Sequence, residues 1–243
     1  MVDKNDSLLR EVEEELRHDQ LKKLWTDYGT YLVAAVALFI GGVFVYQQLE
    51  SRRIAAANAA SAQFETARRL QADKKPTEAD AAFTELAKSG PPGYAALATF
   101  QEAAADLKAG KSAEAANAFD AIAGDAKADS VLRDLARLQA AGLKLGTADW
   151  TEMQNRLTPL IDERNAFRAQ ARELLGLAAQ SAGQAGEARK LFLQVMGDSK
   201  ASQGLKDRVT GHLSALIAAD LAKASLATSP ATSPAAAPEP DKK

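Results

Sequence analysis

The sequence predicts an all-α protein in which one N-terminal transmembrane helix is followed by a solenoid of helical hairpins. An uncharged apolar run occupies residues 28–49, and as a helix it is about 33 Å long, enough to cross a bilayer. No later segment alternates apolar and polar residues as a half-buried strand does, and the abundant alanine favours closely packed helices. Turn-forming glycines recur after 36 and 37 residues, at Gly110, Gly146 and Gly183.

Residues 1–27 predict an amphipathic helical arm before the apolar run. Leu8, Val12 and Leu16 fall near helical spacing, with glutamates between them, so one face of the helix is apolar. Such a helix suits a membrane surface or a partner protein. A solvated helical extension has the same pattern, and the arm's sequence leaves these alternatives open.

The run at residues 28–49 predicts an uncleaved membrane anchor. Tyr28 and Tyr31 stand at one end and Tyr46 at the other, where amphipathic rings favour the headgroup layer. A cleaved signal peptide has a shorter apolar region that ends at a small-residue site. Lysine and arginine within about twenty residues of the run are equally numerous on its two sides, so the charge balance does not orient the anchor.

Composition and motifs argue against several classes of function. The net charge of −2 argues against nucleic-acid binding, because such binding requires a basic surface that contacts the phosphate backbone. The chain has no cysteine, and its two histidines, His18 and His212, fall on opposite sides of the predicted membrane. A thiol nucleophile or a zinc site therefore cannot be assembled from the usual residues.

One short match to a phosphate-binding loop begins at Ala105, in the sequence ADLKAGKS. That loop works between a strand and a helix, where free backbone amides surround the phosphates. Here the preceding residues are strong helix formers, and Gly110 coincides with the repeating turn. We therefore expect no enzymatic activity, cofactor, metal site or small-molecule substrate.

A repeated pattern follows the turn glycines in the predicted domain, residues 50–223. Gly110 is followed by Ala115, Phe119 and Ile122, and Gly183 by Ala188, Phe192 and Val195; an earlier copy, Ala79, Phe83 and Leu86, lacks the glycine. Together with Leu175, Gly176 and Ala179, this pattern resembles the tetratricopeptide repeat, a helical hairpin of about 34 residues. The resemblance predicts a stack of four hairpins.

The third repeat departs from this pattern. Thr151 and Asn155 occupy the positions of the small and aromatic residues. We expect Trp150, Met153 and Leu157 to pack in their place, in a unit about two residues longer than the consensus repeat.

From residue 224 to residue 243 the composition changes to alanine, serine and proline without helical periodicity. Such a segment buries too little apolar area to offset its conformational entropy. We predict that it is a disordered tail.

The opening SLLREVEEELRHDQLKKLWTDYGTYLV, followed by one anchor and repeated hairpins, resembles the YfgM-like family of bacterial single-span proteins, in its alphaproteobacterial form. The resemblance implies a cytoplasmic arm, an inner-membrane anchor and a periplasmic domain. It also implies an accessory subunit of the SecYEG translocon that contacts emerging proteins and periplasmic chaperones such as PpiD. The residues alone equally allow an assembly or structural factor for another envelope complex, such as a respiratory enzyme or the outer-membrane assembly machinery.

The register of the repeats predicts where partners bind. In a tetratricopeptide stack the first helix of each hairpin lines the concave surface used for recognition. The alternative is that these side chains only solvate one face of the stack. The expected partner-binding residues are Phe100, Leu107, Lys108, Arg133, Lys144, Gln170, Glu173 and Gln180.

Overall fold

The computed structural model describes the backbone of residues 4–228 and the side chains of Lys22 and residues 25–225. Within residues 4–228 every regular element is helical and none is a strand, which confirms the all-α prediction. By their contacts the described residues fall into two units, divided between residues 61 and 62.

The predicted anchor lies within a single helix, α1 (Lys4–Ala72). Its apolar side chains are exposed, with Leu38 79% and Phe39 73% accessible. A continuous apolar surface of this size is unfavourable in water and is typical of contact with lipid or protein. The stretch Trp25–Ala72 is long and apolar enough to span a membrane, by length and composition. Most side chains of the predicted amphipathic arm lie outside the described residues.

The second unit consists of helical hairpins. The last turns of α1 lead into α2 (Pro76–Ser89), where the ring centroid of Phe64 lies 5.6 Å from that of Phe83 in an edge-on contact. Three further hairpins and a final helix follow: α3 (Pro92–Lys108) with α4 (Ser112–Gly124), α5 (Ser130–Lys144) with α6 (Trp150–Leu157), α7 (Arg168–Ser181) with α8 (Ala185–Gly197), and then α9 (Gln203–Thr228). The four predicted hairpins are therefore present between residues 62 and 228.

The turns inside the hairpins share a left-handed residue. Gly110, Gly146 and Gly183 have positive φ angles of 79°, 88° and 76°, and Lys74, at 59°, takes the same place in the first hairpin. After Gly110, the amide of Lys111 donates to the carbonyl of Asp106 over 2.8 Å, and equivalent bonds follow Lys74 and Gly183. This bond satisfies a carbonyl that the helix end leaves free. Lysine adopts the left-handed region only at a cost, so the first repeat makes the same turn without the glycine that marks the others.

The third turn has a different geometry, because it is longer. The amides of Thr147 and Ala148 both donate to the carbonyl of Lys144, over 3.0 and 2.9 Å. Helix α6 then begins at Trp150, after Asp149 caps it by accepting a hydrogen bond from the Glu152 amide.

This longer turn shifts the buried positions of α6 along the chain. Met153 and Leu157 are fully buried, whereas Thr151 and Asn155 are exposed. Trp150 packs against the same core while remaining half-buried. The expected substitution of core residues in the third repeat is confirmed.

Each buried cluster joins one hairpin to the first helix of the next. One cluster contains residues of α3, α4 and α5, a second mainly residues of α5, α6 and α7, and a third residues of α7, α8 and α9. Contact between neighbours only is the mark of a solenoid. Helix α9 therefore packs against the fourth hairpin as the first helix of a following unit does. It reaches Thr228, inside the predicted tail, and residues 229–243 lie outside the described part of the chain.

Candidate interaction surface on the first helices

The predicted partner-binding residues all lie on the first helices α3, α5 and α7. Their contacts divide them into residues that pack in the core, residues held in ion pairs and residues that are free. Phe100 and Leu107 belong to the core group. The ring of Phe100 lies 4.8 Å from that of Phe119, and Leu107 packs against the same cluster, so both stabilise the α3–α4 hairpin.

Lys144 is held by carboxylates of two second helices. Its Nζ lies 3.3 Å from an oxygen of Asp120 on α4 and 3.4 Å from an oxygen of Glu152 on α6. Arg156 contacts the same two carboxylates. The hydrogen bond from Arg156, opposed by burial and reinforced by Lys144, holds the pKa of Glu152 below its ordinary value. This group of four charges links α4, α5 and α6.

Glu173 is also engaged within the chain. Only 7% of it is exposed, and its two carboxylate oxygens each accept a hydrogen bond of 2.9 Å from Arg208 on α9. A bidentate pair of this kind is geometrically specific. His212, also on α9, lies 4.0 Å from the same carboxylate. Glu173 therefore fastens α9 to α7.

Two cations on α3 and α5 have no partner among the described residues. Neither Lys108 nor Arg133 takes part in any ion pair or side-chain hydrogen bond there, and the Nε of Arg133 is buried without an acceptor. Buried donors are normally satisfied. Gln170 is exposed and Gln180 is half-buried, so these four side chains are available to a partner.

Sequence reasoning missed a buried charged cluster at the start of α7. Arg168, Arg172 and Asp198 are each less than one-tenth exposed, and Arg168 donates to the Asp198 carboxylate. Burial raises the pKa of Asp198, but hydrogen bonds from Arg168 and the Lys200 amide outweigh that effect and hold it below its ordinary value. The sequence signal was two arginines four residues apart within an apolar helix, which places them on one face.

The segment that resembles a phosphate-binding loop forms an ordinary hairpin turn. Ala105 lies inside α3, and Ser112 begins α4. The Nζ of Lys111 lies 3.4 Å from the carboxylate of Asp106. The strand that a phosphate loop requires does not precede this turn. His212 stacks on Phe192 with ring centroids 5.5 Å apart, while the side chain of His18 lies outside the described residues.

Comparison with known families agrees with this geometry. The family described as the tetratricopeptide repeat-like domain matches residues 22–218, from the end of the predicted arm into α9. No curated protein and no solved structure shows significant similarity to the chain. Both the family match and the repeated hairpins indicate a protein–protein interaction scaffold. The chain belongs to the tetratricopeptide repeat-like family.

Proposed function

We propose that this chain is a non-enzymatic accessory subunit of the SecYEG translocon that links emerging proteins to periplasmic chaperones such as PpiD. Its family and its hairpin solenoid support a role in binding proteins. The exposed apolar part of α1 supports a membrane location. The assignment to the translocon rests on the resemblance of the opening segment to YfgM-like proteins.

The proposed topology has four parts: a cytoplasmic arm at residues 1–27, an inner-membrane anchor at 28–49, a periplasmic domain at 50–223 and a tail at 224–243. A reporter that is active only in the periplasm tests this arrangement. Fused after Leu221 the reporter should be active, and placed before Ser7 it should be inactive. Activity of the second fusion alone would reverse the orientation.

We further propose that partners bind along the first helices, the surface that carries Lys108, Arg133, Gln170 and Gln180. The observation that carries this proposal is that the exposed Lys108 and the half-buried Arg133 have no ion-pair partner among the described residues, although neighbouring charges on the same helices are paired. An incoming chain that supplies carboxylates would pair with them. Lys144 and Glu173, proposed from the register, already hold neighbouring helices together, so tests of binding should leave them unchanged.

Site-specific crosslinking in intact cells tests the proposal. A photoreactive residue at Gln170, exposed on a first helix, should capture translocon subunits and chaperones. The matched control is Gln194, which is exposed on the second helix α8 and should capture neither. Combined Lys108→Glu and Arg133→Glu substitutions should reduce the Gln170 products, because reversed charges oppose a complementary surface. Combined Lys88→Glu and Lys127→Glu substitutions, the same charge change at exposed positions elsewhere, should not.

The identity of the captured proteins separates the candidate functions. Products that contain respiratory or outer-membrane assembly subunits instead of SecYEG would favour an assembly factor for those complexes. Absence of any product, under conditions where translocon subunits crosslink one another, would contradict the translocon proposal.

A further inference from the structure

The cluster at the start of α7 contains more buried positive charge than buried negative charge. Arg168 and Arg172 lie one turn apart and are 6% and 8% exposed. Among the described residues, Asp198 is the buried carboxylate paired with them: it accepts from Arg168 and lies 3.7 Å from Nη1 of Arg172, whereas buried Glu173 pairs with Arg208. A buried guanidinium without a counter-charge is strongly unfavourable. One buried carboxylate therefore leaves a single positive charge to be balanced.

That charge is balanced by a side chain that is itself exposed. Glu163, in the loop of residues 161–167, is 78% exposed at its side chain; its carboxylate accepts from Arg172 and lies 3.6 Å from the Nε of Arg168. When the exposed carboxylate leaves the arginines it regains water, which offsets much of the lost attraction, so another carboxylate can take its place. The side chain of Glu163 is thus a weakly held occupant of a buried cationic site.

The two arginines are held in place by groups other than the Glu163 carboxylate. Arg172 donates to the carbonyl of Ile161 and Arg168 to the carbonyl of Glu163, each over 3.1 Å. The Nε atoms of both arginines are nevertheless buried without a hydrogen-bond acceptor. The site therefore has donors that its present occupant does not use.

We propose that Arg168 and Arg172 form a binding site for a carboxylate group of a partner protein, and that Glu163 occupies this site in the unbound chain. The charge balance favours a singly charged anion, because a phosphate dianion would place excess negative charge beside buried Asp198. The planar guanidinium groups of the two arginines present pairs of N–H donors at a spacing that matches the two oxygens of a carboxylate. This inference is independent of the translocon assignment.

Chemical rescue of Glu163→Gln tests whether the site accepts an external carboxylate. The detergent-solubilised full chain carrying this change should melt several degrees below the wild type. Sodium acetate should restore the melting temperature, while sodium chloride at equal ionic strength should not, because ligand binding to the folded state stabilises it. The substituted side chain is exposed, so the variant is expected to fold.

Two comparisons make the rescue specific. Adding Arg172→Gln to the Glu163→Gln variant should abolish the effect of acetate. Glu187→Gln removes an exposed carboxylate that pairs with Lys190 on α8, and acetate and chloride should affect that variant equally. Equal effects of the two salts on Glu163→Gln would overturn the proposal.

Short alanine peptides then distinguish the source of the carboxylate. The first peptide is capped at both ends and has a central glutamate. The second has a central glutamine and a free C-terminus. The third has a central glutamine and is capped at both ends, so it has no carboxylate. At least one carboxylate peptide should bind Glu163→Gln several-fold more tightly than the wild type, since the internal competitor is gone. The better of the two identifies a side chain or a chain terminus as the ligand. Binding of all three with equal affinity would overturn the inference.

Discussion

Gly176 on α7 lies directly against the ring of Phe192 on α8. A Cβ atom added to Gly176 would come within 2.5 Å of Cε1 and 2.8 Å of Cδ1 of that ring. Phe192 is fully buried and is stacked against His212, so the ring has little room to retreat. The absence of a side chain at Gly176 is what allows the two helices of the fourth hairpin to approach.

We expect Gly176→Ala to lower the free energy of unfolding by about 1–2 kcal/mol, because overpacking of a full core outweighs the better helix propensity of alanine. Urea unfolding of the solubilised full chain, followed by circular dichroism, measures this change. Gly142→Ala on α5 is the matched control. Its added methyl would meet only Leu174, at 4.0 Å, and should raise stability by up to about 1 kcal/mol. A stabilising Gly176→Ala would show that the Phe192 ring can move.

Phe192 itself should contribute strongly to the stability of the last hairpin. Phe192→Ala removes a fully buried ring from the cluster shared by α7, α8 and α9, and we expect a loss of about 3–5 kcal/mol. Its neighbour Leu193 is 56% exposed, and Leu193→Ala should change stability by less than about 0.5 kcal/mol. The same urea titration compares them, and similar losses for the two variants would mean that the described register of α8 is wrong.

The left-handed turn at Lys74 is a site where the chain can be stabilised. Lys74→Gly should raise the free energy of unfolding by about 1 kcal/mol, because a side chain in the left-handed region is unfavourable and glycine adopts it freely. Lys75→Gly, at a φ of −110°, relieves no such strain and should give no gain. Thermal unfolding distinguishes the two variants. Loss of stability in Lys74→Gly would argue against the described turn.

Asp198 should make the fold sensitive to acid. Its pKa is lowered in the folded chain, so the unfolded state binds more protons between the folded pKa and the unfolded value of about 3.9. The stability contributed by the ionised carboxylate is present above about pH 4 and is lost as the pH falls through the folded pKa. Unfolding free energies measured across this range should therefore decrease with decreasing pH.

Asp198→Asn removes this titrating group and should flatten the acid limb of the stability curve. It should also destabilise the fold at neutral pH, because two buried arginines lose the buried one of their two counter-charges. Leu191→Ala, at a buried position without a titrating group, provides the comparison: it should lower the curve without changing its slope. An unchanged slope in Asp198→Asn would refute the assigned role of Asp198.

Much of the second unit could be predicted from local features of the sequence. Glycine adopts the left-handed region without steric cost, so Gly110 and Gly183 mark the turns by their own chemistry. The spacing of Ala188, Phe192 and Val195 places them on one helical face, which is apolar and must be buried. The longer third repeat was likewise visible, because Thr151 and Asn155 do not suit a core.

Other features were decided only by the tertiary structure. Lys74 adopts a backbone conformation that its own chemistry disfavours, in a hairpin where Phe64 packs against Phe83. Asp198 meets Arg168 across 30 positions of sequence, and Lys144 meets Asp120 of the preceding hairpin. The spacing of charged residues along the sequence does not indicate which distant residue each of them will pair with. Which carboxylate comes within about 4 Å of a cation depends on how successive hairpins stack, so ion pairing follows from the packing of the solenoid and not from local sequence.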